Sequence, residues 1–251
     1  MTRRTILFLL SLGAFTVTSL GILSLLISHV APRLPGPTLP PAVPLTPLQS
    51  RIIAGTRTQI GNGYNASYRL LSYPNGDPPA GQGACTDVVV RSLRAGGCDL
   101  QALVHEDMTR HWDQYPHRWG LPGPDPNIDH RRVPNLAHFF QRYGQTLPVA
   151  VTPKTLTTWQ PGDVVMWRMP GGGDHCGIVS DRRDLAGTPL VIHNLGRVAE
   201  QDVLTSWTIS GHYRYPTQPQ TRRGPGIKRS PAPFAFSASC ASLPTPALCP
   251  A

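Results

Sequence analysis

Acidic residues are missing from both ends of this 251-residue chain: residues 1–50 and 216–251 contain no Asp or Glu. Those ends do carry Arg3, Arg4, Arg33, Arg222, Arg223, Lys228 and Arg229. Setting these seven aside leaves 16 basic against 14 acidic side chains, so most of the formal +9 belongs to the flanks. A near-neutral centre excludes a nucleic-acid-binding core, whose mark is a clustered basic face. No CxxC pair occurs among Cys85, Cys98, Cys176, Cys240 and Cys249, which excludes a zinc ribbon. An odd cysteine count leaves at least one thiol free, while Cys240 and Cys249 share the tail and are placed to pair. No fixed-period repeat is present, and the centre mixes apolar patterning with aromatics. Solenoid, collagen-like, coiled-coil and fully disordered classes are therefore set aside.

What is abundant divides the chain. Seven prolines lie between Pro32 and Pro47, and eight between Pro216 and Pro250. These read as a semi-rigid linker over 31–50 and an extended basic tail over 216–251. Residues 51–215 remain as one domain, long enough to bury its own core. Ahead of the linker, Thr5 to Ser28 runs for 24 residues without a charge. As a helix it would span roughly 36 Å, against about 30 Å for a hydrocarbon core. Ser28-His29-Val30-Ala31 is a poor cleavage sequence, so residues 1–30 are expected to be an uncleaved signal anchor, a transmembrane helix, with a cleaved signal and an exported domain as the alternative. Arg3 and Arg4 place the N-terminus in the cytoplasm and the domain on the extracytoplasmic side of an inner membrane.

Within the domain, Cys85, Val88, Val89 and Leu93 define a helical face, and Gly96 suits its stop. Leu100–Trp112 and Leu136–Tyr143 also show helical spacing. From residue 163 onward the pattern changes to short β-rich runs: Asp163–Arg168, Cys176–Ser180, Leu190–His193 and His212–Tyr215. Helices followed by antiparallel strands predict an α+β domain.

Gly83-Ala84-Cys85 opens the first of these helices. A thiol there feels the positive end of the helix dipole, and the glycines let a substrate backbone approach. A thiolate nucleophile needs a base and an orienting partner. His175 and His193, each on a short strand, are the candidates. His105, His111 and His117 invite a metal reading, but their spacing of six fits neither HExxH nor i, i+4. No metal or other cofactor is expected. Asn127-Ile128-Asp129-His130-Arg131-Arg132 gathers charge in a short loop. It reads either as a wall that binds a substrate carboxylate or as an ion-pair knot that fixes the loop. Cys98 and Cys176 lie in apolar runs and read as buried small hydrophobes. Cys176 should face away from His175, because neighbours alternate along a strand.

Cys85-Thr86-Asp87, Gly162-Asp163-Val164, His175-x-Gly177-Ile178-Val179 and Ile192-His193 stand in the order found in NlpC-type peptidases, the compact papain-like cysteine hydrolases. Tyr64 to Tyr215 resembles more closely the bacterial YijF-like family, a domain of unknown function. The strings that carry this resemblance are Gly83-x-Cys85-Thr86-Asp87, Leu103-Val104-His105-Glu106-Asp107-Met108, Asn127 to Leu136, Trp159-Gln160-Pro161-Gly162-Asp163 and Gly211-His212-Tyr213-Arg214-Tyr215. The resemblance implies a papain-like fold with Cys85 as nucleophile, His175 as base and His193 as the third polar group. Asp87, Asp129, His130 and Arg131 are carried as candidate substrate-binding residues. Two departures stand out. Ala84-Cys85-Thr86-Asp87 replaces the usual Asp-Cys-Ser-Gly, and the long Cys-to-His interval implies an extra helical segment over 100–150.

The implied function is a membrane-tethered extracytoplasmic cysteine hydrolase that cleaves an amide or related acyl bond, with peptidoglycan peptide as substrate. Two alternatives use the same residues. One is a catalytically inactive envelope-binding module, and the other is an acyltransferase with an acceptor other than water.

Overall fold

The structure is a computed structural model that describes residues 38–39 and 44–217. The expected membrane anchor, the Cys240–Cys249 pair and nearly all of the tail lie outside the described residues. Among the described residues no helix is long and apolar enough to cross a membrane.

In chain order the elements are α1 (Pro47–Arg57), β1 (Gly63–Tyr64), β2 (Gln82–Gly83), α2 (Cys85–Ala95), α3 (Leu100–Arg110), α4 (Val133–Tyr143), β3 (Gln145–Thr146), β4 (Val164–Arg168), β5 (Asp174–Arg183), β6 (Pro189–Asn194), β7 (Val198–Gln201) and β8 (Thr208–Arg214). The fold is α+β. Helix α1 starts inside the stretch read as linker. Pro47 occupies its first turn, where a missing N–H is no loss. Thr46 and Gln49 then close a reciprocal cap, each side chain accepting the other's backbone N–H.

Six strands form one antiparallel sheet in the order β3-β8-β4-β5-β6-β7. Alternation sorts its side chains onto two faces. Val164, Met166, Cys176 and Ile178 join the helices in the larger core, beside Val89, Leu93, Leu136 and Phe140. Val165, Trp167, Val179 and Val191 build a second core on the other face with Trp159 and Leu204. Helix α2 is buried over nearly its whole length, so it forms the central element on which α1 and the sheet converge.

Two of the family-like strings meet in one structural knot. Asp163 accepts hydrogen bonds from His212 Nε2 at 3.0 Å and Arg214 Nε at 2.7 Å, while Trp159 stacks on His212 at 3.6 Å. This knot ties the start of β4 to β8. A third string does similar work, since the buried Asp107 carboxylate accepts from Tyr115 and Tyr143 and pairs with Arg142.

Candidate active site

Cys85 is the first residue of α2. Ala84 has no side-chain oxygen with which to cap the helix, and Asp87 replaces it by accepting the Ala84 N–H at 2.6 Å. Gly83 precedes the cap where a Cβ would come within 2.9 Å of the Asp87 Cβ. Its carbonyl accepts from Asn194 Nδ2 at 2.8 Å, and the same amide reaches Gly63 O at 3.2 Å. The approach to Cys85 is thereby pinned to the end of β6.

His175 sits opposite Trp167 on the β4–β5 ladder, and His193 opposite Gly177 on the β5–β6 ladder, so both imidazoles share a sheet face. His175 Nε2 lies 2.9 Å from His193 Nδ1, and His193 Nε2 lies 2.9 Å from Gln201 Oε1. The amide oxygen of Gln201 only accepts. It follows that His193 carries its proton on Nε2, presents the Nδ1 lone pair to His175, and accepts the proton on His175 Nε2. His175 Nδ1 is left to serve the thiol. Burial, with the nearby His175 charge, pushes His193 down to about 4, so it stays neutral as this relay requires. Gly177 makes the approach possible, because a Cβ there would lie 2.7 Å from Val191 Cγ1 and 2.9 Å from His193 Cβ. Trp167 stacks over His175 with centroids 5.6 Å apart, and Trp207 stands edge-on to both imidazoles at 5.8 and 6.0 Å. These indoles wall the pair from solvent.

Hydrogen bonding from Cys176, and then the hydrogen bond and charge of His175, outweigh burial and hold the Cys85 thiol well below its ordinary range. Cys176 goes the other way, since burial and the neighbouring Cys85 keep it protonated. Its side chain does face away from His175, and that face is the one α2 covers. Cys176 therefore packs against Cys85 and donates a hydrogen bond to its sulfur. The exposed Tyr64 completes the surroundings of the thiol; burial and the charge of Cys85 raise its phenol.

The four residues carried as substrate contacts are placed differently. The Asp87 and Arg131 side chains are 1% and 2% exposed and pair with each other, Nε to Oδ1 at 3.0 Å. Arg131 also donates to the carbonyls of Ser67 (2.8 Å) and Asn65 (3.1 Å), tying the loop before β2 to α2. Asp129 is buried and pairs with His105 Nδ1 at 2.8 Å. His130 is buried, and burial together with Arg131 pushes it down to about 3. Asp87, Asp129 and Arg131 are turned inward and paired within the chain, and His130 is buried beside them, which corrects the binding-wall reading for these four residues in favour of an ion-pair knot. His105, His111 and His117 are separate: His111 pairs with Asp107, and His117 stacks on Trp112. Among the described residues no group of three or more His, Cys, Asp or Glu gathers as metal ligands.

Four residues in this site were not singled out from the sequence. Gln201 lies on β7, a strand too short and polar to show an apolar alternation. Trp207 and Tyr64 lie outside the regular runs. Asn194 was legible only as the neighbour of His193.

Residues 53–215 match the family model described as a domain of unknown function (DUF1287). The chain is 47% identical over 202 residues to the uncharacterized protein YijF of Escherichia coli (strain K12), covering 78% of this chain and 97% of that protein. Among solved structures it is similar to NlpC1 from Trichomonas vaginalis (15% identity, TM-score 0.38, 71% of this chain) and to NlpC2 from the same organism (16%, 0.37, 70%). It spans about half the length of those two chains, 48% and 49%.

Proposed function

The chain belongs to this domain-of-unknown-function family, DUF1287, and we propose that it is a papain-like cysteine hydrolase acting on an amide or related acyl bond. One observation carries the reading: a thiol at a helix N-terminus served by the imidazole relay His175–His193–Gln201. In this mechanism His175 Nδ1 takes the Cys85 proton, and the imidazolium remains paired to His193. The thiolate attacks the carbonyl carbon, and the early N–H groups of α2, starting with that of Cys85, face the oxyanion. His175 returns the proton to the leaving amine. Water, deprotonated by His175, then releases the acyl group from sulfur.

The substrate proposed is cell-wall peptide. Arg3-Arg4 followed by the 24-residue uncharged run supports a membrane-tethered domain outside the cytoplasm, where that polymer lies. A reporter fused after Pro47 and active in the cytoplasm would overturn this placement.

Limiting iodoacetamide at mildly acidic pH tests the chemistry. Peptide mapping should find Cys85 alkylated well before Cys98 and Cys176, with His175→Ala slowing the reaction and His193→Ala slowing it less. Peptidoglycan fragments should then be cleaved by the wild type and not by Cys85→Ala. If Cys85 labels no faster than Cys98, the catalytic reading fails and an envelope-binding module replaces it.

A further inference from the structure

The outermost rung of the β4–β5 ladder pairs Arg168 with Asp174. By alternation this rung shares its sheet face with the Met166–Cys176 rung two residues further in, the face against which Cys85 packs. Asp174 is thus the next same-face neighbour of Cys176, and its charge is felt at that thiol. Two guanidiniums straddle its carboxylate: Arg168 Nη1 lies 2.9 Å from Oδ1, and Arg118 Nη1 lies 3.5 Å from Oδ2. Arg168 comes from the sheet. Arg118 comes from the segment between α3 and α4 that lengthens the Cys-to-His interval. One carboxylate against two guanidiniums leaves a positive charge in excess, and the arginine side chains remain 55% (Arg118) and 45% (Arg168) exposed.

As a stabilising device this arrangement is weak, because screening and side-chain entropy leave exposed ion pairs with little net stability. As a recognition device it is well formed. Asp174 orients two forks whose remaining N–H groups suit the planar geometry of a second carboxylate. Building on the cysteine-hydrolase reading, we propose that Arg118 and Arg168 form a carboxylate-binding subsite beside Cys85. The substrate class is then an acidic peptide with a carboxylate close to the attacked carbonyl.

Two alkylating reagents test this on the purified full-length protein. Iodoacetate and iodoacetamide each lose iodide to the same thiolate, forming one S–C bond and breaking one C–I bond, and they differ by a single negative charge. The ratio of their rates at Cys85 cancels changes in the thiol itself. Replacing both arginines, Arg118→Gln with Arg168→Gln, should lower the iodoacetate-to-iodoacetamide ratio about fivefold at low ionic strength. Each single variant should lower it less, Asp174→Asn should raise it, and the differences should shrink in high salt. An unchanged ratio in the double variant, with iodoacetamide still labelling Cys85 quickly, overturns the subsite and leaves the nucleophile standing. A wild-type Cys85 that reacts quickly with neither reagent overturns the nucleophile and the subsite together.

Discussion

Replacing Arg131 with Met should unfold the domain at a much lower temperature without any substrate being involved. Asp87 lies 1% exposed beneath Arg131 and accepts from Nε at 3.0 Å and from Nη2 at 3.0 Å. Methionine fills similar space but leaves that carboxylate buried with the Ala84 N–H as its remaining close donor. Breaking one side of a buried pair typically costs about 3–5 kcal/mol, because the other charge is left uncompensated. The carbonyls of Asn65 and Ser67 lose their donor as well, which frees the loop leading to β2. For a domain of this size each kcal/mol shifts Tm by about 2–4 °C, so the expected fall is about 6–20 °C. Thermal unfolding followed by circular dichroism reads it directly. Adding Asp87→Asn to Arg131→Met removes the stranded charge and should recover part of the loss, a coupling that a double-mutant cycle reports. A Tm within about 2 °C of wild type for Arg131→Met would refute the structural role and return Arg131 to the candidates for substrate binding.

Two further outcomes follow from the imidazole pair. His193 is pushed down to about 4 in the fold, whereas an unfolded histidine titrates near 6.5, so the unfolded chain binds the extra proton between those values. Its contribution, on the order of 3 kcal/mol, is complete above about pH 6.5 and is lost as pH falls toward 4. Urea unfolding of His193→Gln should therefore show a shallower loss of stability over that window than wild type, and parallel slopes would count against the buried neutral imidazole. Gly177→Ala puts a methyl 2.7 Å from Val191 Cγ1 and 2.9 Å from His193 Cβ. Overpacking of this kind costs about 1–3 kcal/mol. The same displacement should slow alkylation of Cys85 even where the domain remains folded, and an unaltered labelling rate would show that the His175–His193 contact does not govern the thiol.

The sequence alone carried the α+β class, because helical and alternating periods occupy separate halves of the domain. Cys85 at a helix start was legible from Gly83-Ala84 before an amphipathic run, and His175 and His193 from their places on short strands. A short helix was legible from Ser50 onward, but its first turn was hidden because a proline at that position looks like linker until Thr46 and Gln49 are seen to cap it. Ladder register was not legible. Spacing along the chain does not tell which residue of β6 lies opposite Gly177 on β5, nor how β7 pairs with β6, yet those two pairings bring His193 to His175 and Gln201 to His193. Nor could the loop charges be assigned from sequence, since Arg131 reads alike whether its fork faces a cleft or a buried Asp87. Residue type fixed what each group can do, and tertiary packing decided which partner it meets. A hydrogen bond or ion pair depends on a distance of a few ångströms between segments far apart in the chain.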